Sequence, residues 1–209
     1  MTRFDPVHER AVVRLFRNRV PEFGLSPDMQ DLDLLTIAQH HGVPTRLLDG
    51  TSNPLVAAFF AVTASPAVAT FRRITPSGRA ARTDVRANPD PREVAARIVA
   101  IQVSSGRTLR ATDDPFAIRD VSFYWPRAVA SRITSQSGLF SVHPEPHVPW
   151  SDPLAASANV FDIPGAMRNF FQRRLYYLGV HDHAIMGGLD GVGARLGWQY
   201  RAGTGLGAL

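Results

Sequence analysis

Gln39-His40-His41-Gly42-Val43-Pro44-Thr45-Arg46-Leu47-Leu48-Asp49-Gly50-Thr51-Ser52-Asn53-Pro54, followed by Leu55-Val56-Ala57-Ala58-Phe59-Phe60-Ala61, is the stretch on which the reading of this chain turns. It sets two imidazoles, a guanidinium, a carboxylate and several hydroxyls between the expected end of one helix and the start of a second, apolar one. Packing alone does not ask for so polar a connection. The segment is therefore either a site or a braced turn, and the residues around it have to decide.

Upstream, Asp5-Pro6 pairs an N-cap residue type with proline at the first helical position. Val12, Leu15, Phe16, Val20 and Phe23 follow at helical spacing, which predicts an amphipathic helix from residue 6 to about residue 20. Ser26-Pro27 repeats the start signal. Met29, Leu32, Leu35 and Ala38 then form the stripe of a second helix that closes at Gly42 and Pro44. Asn53-Pro54 opens a third helix whose run has no polar face, so it is expected to be buried nearly all round.

Downstream the pattern changes. Residues 74–93, rich in Pro, Gly, Ala and Arg, read as a mobile surface insertion. Residues 97–103, 121–124, 139–142 and 160–163 are strand-like, and the proline-rich residues 144–153 form a loop. Helices return at 166–178 and 189–196. The expected class is α+β, with N-terminal helices, a small and mostly antiparallel central sheet, and C-terminal helices.

With 209 residues, 44% of them hydrophobic, one domain over residues 1–209 can bury a core. No apolar run is long enough to cross a bilayer and the first residues lack a secretory apolar region, so a cytoplasmic protein without a membrane partner is expected. The absence of Cys excludes disulfides and thiolate zinc sites. The formal charge is +5 and every basic residue is Arg. The arginines are scattered rather than interleaved with aromatics, which argues against a nucleic-acid partner. Glu9, Glu22, Glu93 and Glu145 are the only glutamates, and none falls inside a convincing constellation.

Gln39, His40, His41, Thr45, Arg46, Asp49, Thr51, Asn53 and Gln136 are the candidate ligand-binding residues. A histidine at a helix C-terminus is favoured by the dipole by roughly 0.3–1 kcal/mol, so His40 and His41 have a structural explanation beside a functional one. Arg46 and Asp49 are close enough in sequence to pair, either bracing the turn or binding a ligand. Thr51 and Asn53 are cap residue types for the third helix, whose N-terminus also suits an anion. Gly138, next to Gln136, suggests a bulge or close backbone approach. His181 with His183, and His143 with His147, read as surface-loop residues, and no metal site is expected. Nucleophile-elbow, P-loop and dinucleotide fingerprints are lacking, and no catalytic residue is assigned.

Residues 39–49, with Thr51, Asn53-Pro54 and the Ala57–Ala61 run, resemble the signature of the FRG domain, a family of bacterial and phage-associated proteins. Arg132-Ile133 to Gln136-Ser137-Gly138-Leu139-Phe140 and Leu178-Gly179-Val180 through Leu189-Asp190-Gly191 are similar to its later blocks. Three departures stand out. The family's aromatic–Arg–Gly block has no counterpart, since Phe16-Arg17-Asn18 lies inside a helix, so a member shortened at its N-terminus is expected. Gly50 stands where the family has Trp, and the late acidic segment is reduced to residues 187–191. A weaker similarity links residues 49–61 and 136–140 to ADP-ribosyltransferases of the Arg–Ser–Glu type, with Gln136 in place of the glutamate. Together these resemblances imply a polar pocket for a small anionic ligand or nucleotide, NAD being the cofactor they suggest. There Arg46 would meet a phosphate, His40 or His41 a ribose or base, and Thr51 an anion. Transfer of ADP-ribose passes through an oxocarbenium-like state that a nearby carboxylate stabilises. The alternative is a non-catalytic structural or interaction module, in which the same turn is a brace and the partner proteins are unknown.

Overall fold

A computed structural model describes residues 6–64, 68–74, 80–87, 90–126, 136–151, 153 and 157–205. The chain has α+β architecture, with helices at both ends and antiparallel strands between them. The chain divides into two compact units, Met1–Asn53 with Ile101–Asp152 and Pro54–Ala100 with Pro153–Leu209.

The first unit holds α1 (Pro6–Arg17), α2 (Asp31–His40) and β1 (Leu47–Thr51), the last of which the sequence reading missed. Helix α2 starts later than expected because Ser26 Oγ accepts the Asp28 amide at 3.2 Å, closing a local turn instead of capping the helix. Asp31 and Asp33 then supply negative charge to its first turn. Every residue from 32 to 38 is buried, so α2, not the apolar third helix, is the one enclosed all round. Its polar residues tolerate this because each has a partner. Thr36 Oγ1 donates to Leu32 O at 2.9 Å, and the Tyr124 hydroxyl donates to Asp33.

The sheet of this unit has the order β1–β6–β5, where β5 is Ser122–Tyr124 and β6 is Gly138–Val142, all antiparallel. β1 pairs with β6 from Leu47 opposite Val142 to Thr51 opposite Gly138 without a break. Gly138 is thus an ordinary strand position and no bulge forms there. The left-handed residue is Ser137, with φ 47°. Leu47, Tyr124, Phe140 and Val142 pack against Val13, Leu32 and Leu35 to form the core, each buried aliphatic side chain contributing roughly 1.5–3 kcal/mol.

The second unit contains α3 (Pro54–Thr63) and a hairpin of β2 (Val68–Ile74) with β3 (Ala80–Ala87). The hairpin occupies part of the stretch read as an insertion; residues 75–79 and 88–89 of that stretch lie outside the described residues. β4 (Ala96–Val99) pairs with β7 (Val160–Ile163), and α4 (Arg168–Tyr177), α5 (Asp182–Met186) and α6 (Gly188–Ala202) complete the unit. Val56, Phe59 and Val62 of α3 join Ile163, Leu175 and Ile185 in its core. Leu55 and Phe60 stay exposed, so α3 is buried along one stripe rather than all round. Arg168, itself buried, donates to the carbonyls of Ala64 at 2.8 Å and Val94 at 3.1 Å, capping the C-terminal end of α3.

Candidate functional site

The segment between α2 and β1 is closed by its own side chains. Gly42, at φ 80°, ends α2, and the amide of Val43 reaches back to Ala38 O at 2.9 Å. Thr45 Oγ1 donates to Gln39 Oε1 at 2.6 Å and accepts the Leu47 amide at 3.2 Å, while Gln39 Nε2 reaches Leu47 O at 3.4 Å. Gln39 and Thr45 therefore tie the end of the helix to the beginning of the strand.

Arg46 is 4% exposed, and its partner is Glu9, not Asp49. Its Nη2 and Nε donate to Glu9 Oε2 at 2.7 and 3.0 Å, and its backbone amide donates to Glu9 Oε1 at 2.7 Å. Nη1 donates to Pro115 O at 3.1 Å, and the guanidinium lies 4.5 Å from the centre of the Phe116 ring. The Arg46 carbonyl accepts the His143 amide at 3.0 Å. One residue, through its side chain and its backbone, thus joins α1, the turn, the 115–116 loop and the end of β6. Glu9, whose side chain is fully buried, is the residue that sequence spacing could not find, since its partner lies 37 positions away. A carboxylate on the core-facing stripe of a helix, beside Val13, was the available signal.

Thr51 Oγ1 donates to Gln136 O at 2.7 Å and accepts the Asn53 amide at 3.0 Å; Ser52 N donates to Ser137 O at 3.1 Å. The two blocks separated by 85 residues therefore meet at one end of the sheet. Arg132 and Ile133 lie outside the described residues. His40 and His41 are exposed, with their rings edge to face at 5.1 Å, and Asp49 is exposed on β1.

Of the histidines read as surface-loop residues, His147 is exposed in a turn as expected, whereas His143 and His181 depart from that place. His143 is buried; its Nε2 lies 2.9 Å from Ser141 Oγ, and the edge of Trp150 covers it. Burial holds its pKa below the ordinary histidine value, because the charged form loses its hydration. His181 caps α5, its Nδ1 accepting the Ala184 amide at 3.2 Å, and burial together with nearby Arg195 lowers its pKa. Among the described residues no group of three or more His, Asp or Glu is placed to hold a metal. Among those residues, too, no helix is long and apolar enough to cross a membrane.

The fold and the site define a class: an α+β protein whose first unit is locked by a buried Glu–Arg pair under a polar helix-to-strand turn. The family model for the FRG domain matches residues 2–69, so this part of the chain is similar to that domain. That match includes the turn, β1 and α3 and stops short of the two later blocks. No curated protein and no solved structure matches the chain.

Proposed function

We propose that this FRG-like protein is a non-catalytic interaction module in which residues 39–51 brace the domain. The observation that supports this most is the commitment of Arg46. Its Nε, Nη1 and Nη2 all donate within the protein, and its charge is balanced by a carboxylate that is equally removed from water. Moving that guanidinium to a phosphate would orphan Glu9 in the interior, which is strongly unfavourable. Calorimetric titration with NAD, ADP and ATP tests the reading. Absence of saturable heat is the expected result; saturable binding lost in Asp49→Ala would overturn it.

One observation favours a second reading, in which the domain binds a nucleotide or NAD-like ligand and retains traces of ADP-ribosyl-transfer chemistry. Ser137 is held in the left-handed region between Gln136 and Gly138, its carbonyl accepting the Ser52 amide, and strained backbone often accompanies binding sites. In this reading Asp49, His41 and Gln136 contact the ligand and Arg46 supports them from behind.

A further inference from the structure

Helix α1 carries apolar residues on both sides. Of the series Val12, Leu15, Phe16, Val20 and Phe23 that the spacing suggests, Phe16 and Val20 meet the core, together with Val13 and the buried Glu9, and the other three do not. Val12, Leu15 and Phe23 are 39%, 64% and 79% exposed. A separate row, Val7, Ala11 and Leu15, recurs at i, i+4 and i+8 along the outward side, with Val7 75% exposed. A surface helix ordinarily sets polar residues there.

Two shallow cavities follow this side of the helix. One, of about 670 Å³, is lined by Val12, Leu15, Phe16, Arg19 and Val43 among others. The second, of about 450 Å³, is lined by Val7, Arg10, Ala11 and Arg14. They share no lining residue and lie on either side of the Val7–Ala11–Leu15 row, on a helix whose 12 residues span roughly 18 Å, or three turns.

We infer that this exposed face of α1 docks an acidic amphipathic helix from a partner protein. The charge pattern selects that occupant. Arg10, whose guanidinium also lies 4.8 Å from the centre of the Phe116 ring, and Arg14 line one side of the apolar row, and the only acidic residue of α1, Glu9, is buried against Arg46. An incoming helix with leucines facing the apolar row and glutamates beside them would satisfy both features. A second copy of this chain would set Arg10 and Arg14 against their own counterparts. An anionic membrane suits the surface less well, because the arginines share the apolar side and would be drawn in with it.

This inference rests on the reading of the domain as an interaction module. The probe is a labelled synthetic helix of roughly 15 residues with leucine at i, i+4 and i+7 spacing and glutamate elsewhere, followed by fluorescence anisotropy. Saturable binding is expected, with affinity lowered at least about tenfold by Leu15→Ser and by Arg14→Glu. Both side chains are exposed, and circular dichroism confirms that the variants fold. A lysine-for-glutamate version of the peptide should not bind. The inference fails if the glutamate peptide does not bind, if both versions bind alike, or if neither substitution matters. Leu15-dependent self-association, or Leu15-dependent binding to phosphatidylserine vesicles, without peptide binding would reassign the surface and also overturn it. NAD binding in the calorimetric experiment would remove the module reading itself, whereas peptide failure without NAD binding removes only this surface.

Discussion

Replacing Glu9 with alanine should be among the most damaging single changes in the first unit. The Glu9 carboxylate accepts three hydrogen bonds, at 2.7, 2.7 and 3.0 Å, from donors that have no access to water. Truncation leaves the Arg46 charge buried with the Pro115 carbonyl and the Phe116 ring as its remaining partners. Removing one member of a buried ion pair costs roughly 3–5 kcal/mol. With a urea m-value of roughly 2 kcal/mol/M, the midpoint should fall by roughly 1.5–2.5 M. The double variant Glu9→Leu/Arg46→Met should recover most of that loss, because paired apolar replacements avoid the orphaned charge. Asp49→Ala, at an exposed position, should stay within about 0.5 kcal/mol of the parent. A Glu9→Ala cost below about 1 kcal/mol, or a double variant no better than the single ones, would refute the reasoning.

In the second unit, a Cβ at Gly165 would lie 2.4 Å from Arg92 O and 2.8 Å from Val94 O, both backbone atoms. Gly165→Ala should therefore destabilise by roughly 1–3 kcal/mol, read as a lower thermal midpoint. Gly42→Ala should cost roughly 1–2 kcal/mol through its left-handed φ of 80°, although open space surrounds the position. His143 gives a pH dependence of definite sign. The folded state keeps the imidazole neutral, while the unfolded chain takes up a proton near the ordinary value of 6.5. Its contribution should be intact above that value and decline as pH falls toward the lower folded pKa. Urea midpoints measured across this window should lose that component of the slope in His143→Gln.

The helices were legible because their signals are local. Asp5-Pro6, Gly42 and Asn53-Pro54 mark ends that the structure places within a few residues, and the strands at 122–124, 138–142 and 160–163 agree closely with their apolar runs. β1 was not legible. Asp49 and Gly50 are poor strand formers, and Leu47–Thr51 becomes a strand through its pairing with β6, some ninety positions away. The core side of α1 was read only in part for a related reason. Spacing shows that a stripe exists, but Glu9 lies on the buried stripe because Arg46 balances it there. The candidate residues fared similarly: Gln39, Thr45 and Thr51 were recognised as unusual, yet apart from the Thr45–Gln39 side-chain bond their partners are backbone groups that sequence does not reveal.

The central claim, that Arg46 belongs to the scaffold, can be observed directly through its guanidinium. In a proton–nitrogen correlation spectrum the Arg46 Nε–H should give a resolved signal that exchanges slowly with solvent and keeps its shift when NAD is added to saturation. It should vanish into fast exchange in Glu9→Ala. A signal that already exchanges fast in the parent protein, or that moves on addition of NAD, would contradict the account and return Arg46 to the ligand.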